Sequence, residues 1–206
     1  MPEESLSRGE QTRTDIIQAA HELFIRQGYH GTSMRQIAKK AGIALGGLYN
    51  HFDSKEDVFK EVFLEYHPYR EVLPAVLAAR GNTIEELLRD TVSRMIAALQ
   101  DRPKFMNLMF VEVVEFDSIH ARELFASMLP QIVGVVQRTL GEGREELRPI
   151  PLMMLIRAFF GLVFSYFLTE IIFAEASPPE FREDAIDYLI DIFLHGVLKE
   201  PEILEG

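Results

Sequence analysis

The sequence predicts an all-α protein, and three observations carry that expectation. Apolar residues recur at helical spacing along the chain. Ser or Thr repeatedly stands three residues ahead of Gln or Glu at the start of an apolar run, the capping-box signature of a helix N-terminus. No segment alternates apolar and polar residues between turn signals, so no strand is expected.

The elements follow in order. Ile16, Ile17, Ala20, Leu23 and Phe24 form the apolar face of a first helix, with Gly28 as its C-cap. Ser33 and Gln36 open a second through Met34, Ile37 and Ala38. Gly42 marks a sharp turn, and a third short helix covers about Leu45 to Phe52. Asp53, with Glu56 three residues on, starts a fourth whose face is Val58, Phe59, Val62, Phe63 and Tyr66. His67-Pro68 ends or kinks it. Longer helices follow. Thr83 and Glu86 cap one with a stripe of Ile84, Leu87, Leu88, Val92, Met95, Ile96 and Leu99. Pro103 begins "RPKFMNLMFVEVVEF". The next runs from about Ser118 to Leu140, kinked at Pro130 and ended by Gly141 and Gly143. Residues 152–174 are almost wholly apolar, and a last helix opens at "SPPE" and runs to about Lys199. The change from short to long helices at the fourth gives two expected domains, 1–55 and 56–206.

Composition narrows the chemistry. An apolar share of 48% over 206 residues supports a sizeable core, and the absence of cysteine excludes disulfides and thiolate chemistry. The start, "MPEESLSRGEQTR", has no apolar run able to act as a signal peptide, so a soluble cytoplasmic protein is expected. The net charge of −11 argues against coating nucleic acid with the whole surface. Yet residues 33–55 carry Arg35, Lys39, Lys40 and Lys55 against Asp53 alone. A local phosphate-binding segment and a chance fluctuation both fit that charge.

Residues 33–52 read as helix, glycine turn, short helix: a helix-turn-helix. Ile37, Ala38, Ile43 and Leu48 lock the pair, and Ala38 and Ala41 permit close crossing. Gly46 and Gly47 then fall on the first turn of the second helix, which in such units faces DNA bases. Each costs about 1 kcal/mol against alanine. Close approach to DNA offsets that cost; a glycine-softened linker between core helices is the plainer account.

"TSMRQIAKKAGIALGGLYNHFDSKEDVF" resembles the DNA-binding region of TetR-type bacterial transcriptional regulators, the match running over about residues 12–65. The resemblance implies an N-terminal three-helix helix-turn-helix DNA-binding domain followed by a larger helical ligand-binding and dimerisation domain. It implies phosphate contacts from Thr32, Ser33, Tyr49, His51 and Lys55, a guanine contact from Arg35, and Ala44, Leu45 and Gly46 facing the bases. Family members often carry Ser or Thr where this chain has Ala44 and a polar residue near Leu45, so direct readout falls on Arg35, Asn50, thymine methyls and DNA shape. Binding to a double-stranded operator should therefore depend markedly on salt.

"PLMMLIRAFFGLVFSYFLTEIIFA" suits a membrane span by length. Arg157 and Glu170 interrupt it, and Arg148 and Glu175 give no positive-inside bias, so a helix buried on all sides and no membrane association are expected. Gly161 and Ser165 would allow close helix approach. In the family the last two long helices form a dimer interface, which puts Gly161, Ser165, Leu168, Tyr188, Leu189, Ile192 and Gly196 between copies of a homodimer on a palindromic operator. The middle helices would enclose a largely apolar or aromatic effector among Phe105, Met109, Glu112, Phe116, Arg157 and Phe160, and repression is the commoner outcome. For Glu112 and Glu115 an internal pair with Arg157 or Arg94, or a solvated edge, is favoured over a ligand contact. No Glu-x-x-His, phosphate loop or nucleophile elbow is present, so neither an enzyme nor a metal or other cofactor is expected. A helical carrier that no longer reads DNA is the alternative.

Overall fold

A computed structural model describes residues 7–99, 105–139, 147–173 and 184–197. Among these, ten α-helices account for the regular structure: α1 (Arg8–Gln27), α2 (Met34–Lys40), α3 (Leu45–Tyr49), α4 (Lys55–Tyr66), α5 (Tyr69–Leu77), α6 (Ile84–Leu99), α7 (Phe105–Glu115), α8 (Ile119–Thr139), α9 (Leu152–Phe173) and α10 (Ala185–Val197). The chain forms two compact units. The first is Met1–Tyr69 with Arg102–Leu129; the second is Arg70–Asp101 with Pro130–Gly206. The unit holding α1–α4 therefore takes in more chain than residues 1–55, because α7 and the start of α8 return to it.

Its core explains why. Ile16, Ala20, Leu23 and Phe24 of α1 meet Ile37, Leu48, Val58, Phe59, Val62 and Phe63, and Leu108, Phe116 and Leu124 join the same cluster. Phe59 and Phe63 are fully buried, each worth about 1.5–3 kcal/mol against exposure. The second unit has its own smaller core of Ile84, Val92, Leu147, Ile190, Leu194 and Val197. There Arg148 N–H donates to the Val197 carbonyl at 2.8 Å, and Arg89 Nη1 donates to Asp187 Oδ1 at 3.1 Å.

Several boundaries differ from expectation. The N-cap of α4 is Ser54, not Asp53: its Oγ accepts the Asp57 N–H at 3.0 Å and donates to Asp57 Oδ2 at 2.9 Å. Helix α5 was not expected. His67-Pro68 does stop α4, but proline is tolerated at a helix entrance, and a new helix starts at Tyr69. The capping of α6 is split, with Thr83 Oγ1 accepting from Glu86 N–H and Glu86 Oε2 accepting from Asn82 N–H. Asp184 has φ 57, so a helix opened at "SPPE" cannot run unbroken into α10. Pro103, Leu140, Gly141, Gly143, Ser177–Glu180 and Lys199 lie outside the described residues.

The α7–α8 corner is built on Glu112. Asp117 (φ 49) and Ser118 (φ 60) turn through the left-handed region, so Ser118 cannot serve as an extended N-cap for α8. Glu112 replaces it: Oε1 accepts the Ala121 N–H at 2.9 Å, and Oε2 meets His120 Nδ1 at 2.9 Å. Its backbone carbonyl accepts from Phe116 and Ser118. Glu112 is fully buried and His120 is 4% exposed. Arg94, in the second unit, binds Asp90 at 2.8 Å. Glu115 pairs with His30 at 2.6 Å.

At the end of α4, His67 Nδ1 accepts the Tyr69 N–H at 3.2 Å, and its ring stands edge-on to Phe105 at 4.6 Å. Burial drives its pKa from 6.5 down to about 4.

Two outcomes follow. Glu112→Ala removes a buried cap and strands His120, and should cost about 3 kcal/mol of unfolding free energy; Glu112→Gln, which keeps an acceptor for Ala121, should cost less. Urea unfolding measures both, and a loss under about 1 kcal/mol for the alanine variant would remove Glu112 from this role. For His67 the folded pKa lies below the unfolded one, so the unfolded chain takes the proton first as pH falls. The stability tied to neutral His67 is whole above about 6.5 and drains between there and about 4. Between pH 7 and pH 5 the parent should lose about 2 kcal/mol more than His67→Phe, read from urea midpoints; equal losses would refute the assignment.

Candidate nucleic-acid interface

Helix α2 is capped at both ends. Ser33 is the N-cap, with φ −119 and ψ 153; its Oγ accepts the Gln36 N–H, and its own N–H donates to Gln36 Oε1 at 2.8 Å. At the other end Gly42 takes φ +71, the Ile43 N–H donates to the Ala38 carbonyl at 3.0 Å, and the Gly42 N–H donates to Lys39 at 3.3 Å. This paired closure fixes the exit from α2, and only glycine enters that φ without strain.

Helix α3 has five residues and an N-cap, Ala44, with no side-chain hydrogen bond. Such a helix does not persist by itself; the burial of Leu48 and Phe52 holds it. Gly46 and Gly47 are helical, neither has positive φ, and a Cβ built on either meets nothing within 4 Å. Nothing inside the chain requires glycine at either position.

The expected DNA-facing residues divide into two groups. Ser33, Arg35, Ala44, Gly46, Tyr49 and Asn50 are exposed on α2, on α3 and at their ends, and His51 is half-buried. Leu45 is half-buried and packs on the core. Thr32 and Lys55 are used internally. Thr32 is 2% exposed, and its Oγ1 donates to the Gly28 carbonyl at 2.8 Å. Lys55 Nζ donates to the carbonyls of Tyr29 and Thr32 at 2.8 and 2.9 Å and lies 4.0 Å over the Tyr29 ring. Desolvation lowers its pKa, opposed by the charge of Glu115. The family resemblance implies phosphate contacts for both; the carbonyls that Lys55 meets lie 26 and 23 residues back, too distant for spacing to reveal, whereas the Thr32 partner Gly28 is four residues back. Arg35, Lys39 and Lys40 are exposed cations of the segment, and Lys40 pairs with Glu22 at 2.6 Å.

Of the expected effector residues, Phe105, Met109, Glu112 and Phe116 lie in the first unit, and Arg157 and Phe160 in the second. Phe105, Met109 and Phe116 pack on the first core, and both carboxylate oxygens of Glu112 are engaged internally. Among the residues expected between copies, Tyr188 and Ile192 are 68% and 69% exposed, Leu168 and Leu189 are half-buried, and Gly161, Ser165 and Gly196 are exposed. Helix α9 is long and apolar enough to cross a membrane, yet only 11% of its most apolar window is buried within the chain. The expectation of burial on all sides is not met within one copy.

Residues 16–62 match the family described as bacterial regulatory proteins, tetR family. The HTH-type transcriptional repressor KstR2 of Rhodococcus jostii (strain RHA1) is 35% identical over 130 residues, 57% of this chain and 63% of KstR2. The chain spans less than two thirds of the length of the curated relatives it matches. A TetR family transcription regulator from Marinobacter aquaeolei VT8 superposes with TM-score 0.63 at 18% identity, covering 94% of this chain and 98% of that one. NalD, the secondary repressor of the MexAB-OprM multidrug efflux pump in Pseudomonas aeruginosa, gives 0.64 at 22% identity, covering 94% and 100%. At these identities the two structures establish the fold alone.

Gly46→Ala and Gly47→Ala should each raise stability by up to about 1 kcal/mol, since alanine fits and favours helix. Thermal melts measure this; a lowered midpoint would mean that the fold needs the glycines.

Proposed function

We propose, from the premise that this chain belongs to the tetR family of bacterial regulatory proteins, that it is a cytoplasmic transcriptional repressor that binds a palindromic operator as a homodimer. The observation that carries this reading is the pair of helical glycines on α3, which the fold does not require and whose added Cβ atoms would project into open space. A side-chain-free turn lets a helix sit deep in a major groove. Arg35 is the side chain for a guanine edge, and Tyr49 and His51 are donors for phosphates; the Ser33 hydroxyl, which donates to Gln36 Oε1 at 2.9 Å, would have to turn from it to reach one. Ala44 and Leu45 offer bases only apolar contact, so DNA shape carries part of the specificity.

The homodimer rests on α9 and α10. Phe164, Ile171, Ile172, Tyr188 and Ile192 are exposed large side chains, and an apolar surface of that kind marks an interaction site. Added Cβ atoms at Gly161 and Gly196 would meet nothing within 4 Å, leaving room for a second backbone. A second copy would cover α9, whose Arg157 and Glu170 disfavour a lipid environment. The effector is expected to be apolar or aromatic, because Glu112, the carboxylate nearest to hand for polar recognition, is bonded to His120 and Ala121. It would release DNA by favouring a conformation with the two reading helices at the wrong spacing.

Selection of bound sequences from a random duplex pool at two salt concentrations tests the reading, with sedimentation of the same preparation. A palindrome recovered at low salt and weakened at higher salt, from a dimer, is the expected result, and Gly46→Ala should lose affinity for it despite its greater stability. A folded protein that enriches nothing at either salt would overturn the reading in favour of a helical carrier.

A further inference from the structure

Lys55 is the first residue of α4, where the helix macrodipole disfavours a cation. Its surroundings offset this with three contacts: the Tyr29 carbonyl, the Thr32 carbonyl and the face of the Tyr29 ring. An ammonium has three N–H donors, and two are committed to those carbonyls. Both carbonyls belong to the loop between α1 and α2. That loop is closed on itself as well, with the Thr32 N–H donating to Tyr29 at 3.2 Å and Thr32 Oγ1 to Gly28. The next residue, Ser33, is the N-cap of α2, and Arg35 stands in its first turn.

We propose that Lys55 is a positioning residue: it bridges the Tyr29 and Thr32 carbonyls and thereby aims Ser33 and Arg35 at DNA, rather than neutralising a phosphate itself. This rests on the DNA-binding reading above. The geometry favours it because an ammonium turned wholly toward a phosphate would abandon two carbonyls: that of Thr32, a residue 2% exposed, and that of Tyr29, which would keep the Thr32 N–H at 3.2 Å. Tyr29 is anchored independently, its ring 5.0 Å from Phe116 and 5.6 Å from Phe59, so the bridge ties the start of α2 to the core.

The two roles leave different marks on binding. A direct phosphate contact contributes about 0.9 to the slope of log K against log salt for each copy; a positioning residue contributes none. Affinity of Lys55→Met and Lys55→Arg for a duplex bearing the selected palindrome should be measured across salt concentrations, counting only folded protein. For Lys55→Met the expected result is a loss of about tenfold or more with the parent's slope, partly rescued in Lys55→Arg, which can still donate to two carbonyls. A slope reduced by about one per copy would assign Lys55 to a phosphate and overturn the proposal. So would an unchanged affinity in the folded variant, which would leave only a structural role. If the parent itself binds no duplex, the functional reading fails, and amide exchange decides the remainder. Faster exchange confined to residues 30–36 in Lys55→Met is expected, and unchanged exchange there overturns the bridge.

Discussion

The contact of Tyr29, Phe59 and Phe116 is what the placement of α2 and α3, the helices proposed to face DNA, depends on. Phe59 and Phe116 lie 4.7 Å apart in a stacked arrangement, and Tyr29 stands edge-on to both. Helices of seven and five residues, as α2 and α3 are, do not form alone in water. They exist because Ile37, Ala38, Leu48 and Phe52 reach a core that α1 and α4 supply. The aromatic contact locks three parts of that core at once: the α1–α2 loop through Tyr29, α4 through Phe59, and the α7–α8 corner through Phe116.

The corner is thus part of the structure that presents α2, although more than fifty residues separate them in sequence. Glu112 fixes the corner from within by capping α8, while Glu115 reaches His30 in the α1–α2 loop and Glu123 reaches Lys60 of α4 at 3.0 Å. The outer pairs are exposed and each is worth little. The buried carboxylate is different, because removing it strands a backbone N–H and an imidazole together. A ligand changes DNA affinity only by preferring one arrangement of such contacts over another. A shift in α7 would reach Tyr29 through Phe116 with no flexible segment between them.

What was legible in the sequence was local. The capping box of Ser33 and Gln36, the sharp turn at Gly42, and the apolar faces of α1 and α4 are each decided by neighbours within four residues, and each stands as read. Helix α5 is not legible at His67-Pro68, because a proline that ends one helix equally suits the entrance of the next. The roles of Glu112 and Lys55 were not legible. A carboxylate on an apolar helix signals that a partner must exist, but not that the partner is an amide nine residues on. A lysine in a basic segment reads as a phosphate ligand, and the two carbonyls that Lys55 meets, 26 and 23 residues back, are beyond what spacing shows. The position of α7 was hidden for the same reason, since periodicity tells which face of a helix is apolar and not which core it joins.

Charge and assembly then become one question. Of the four cations in the segment 33–55, Lys55 donates to two carbonyls and Lys40 shares an exposed pair with Glu22, and the rest of the chain is acidic. One copy offers a phosphate backbone few cations and several neutral donors. Neutral donors orient a protein on DNA but release little salt, so a single half-site should bind weakly at moderate ionic strength. Two copies joined through α9 and α10 would add their contacts, and the second half-site would bind at high effective concentration. On the proposed reading, the apolar surface on the last helices and the sparse charge on the first ones are complementary: a DNA-reading surface this lightly charged would become effective when used twice.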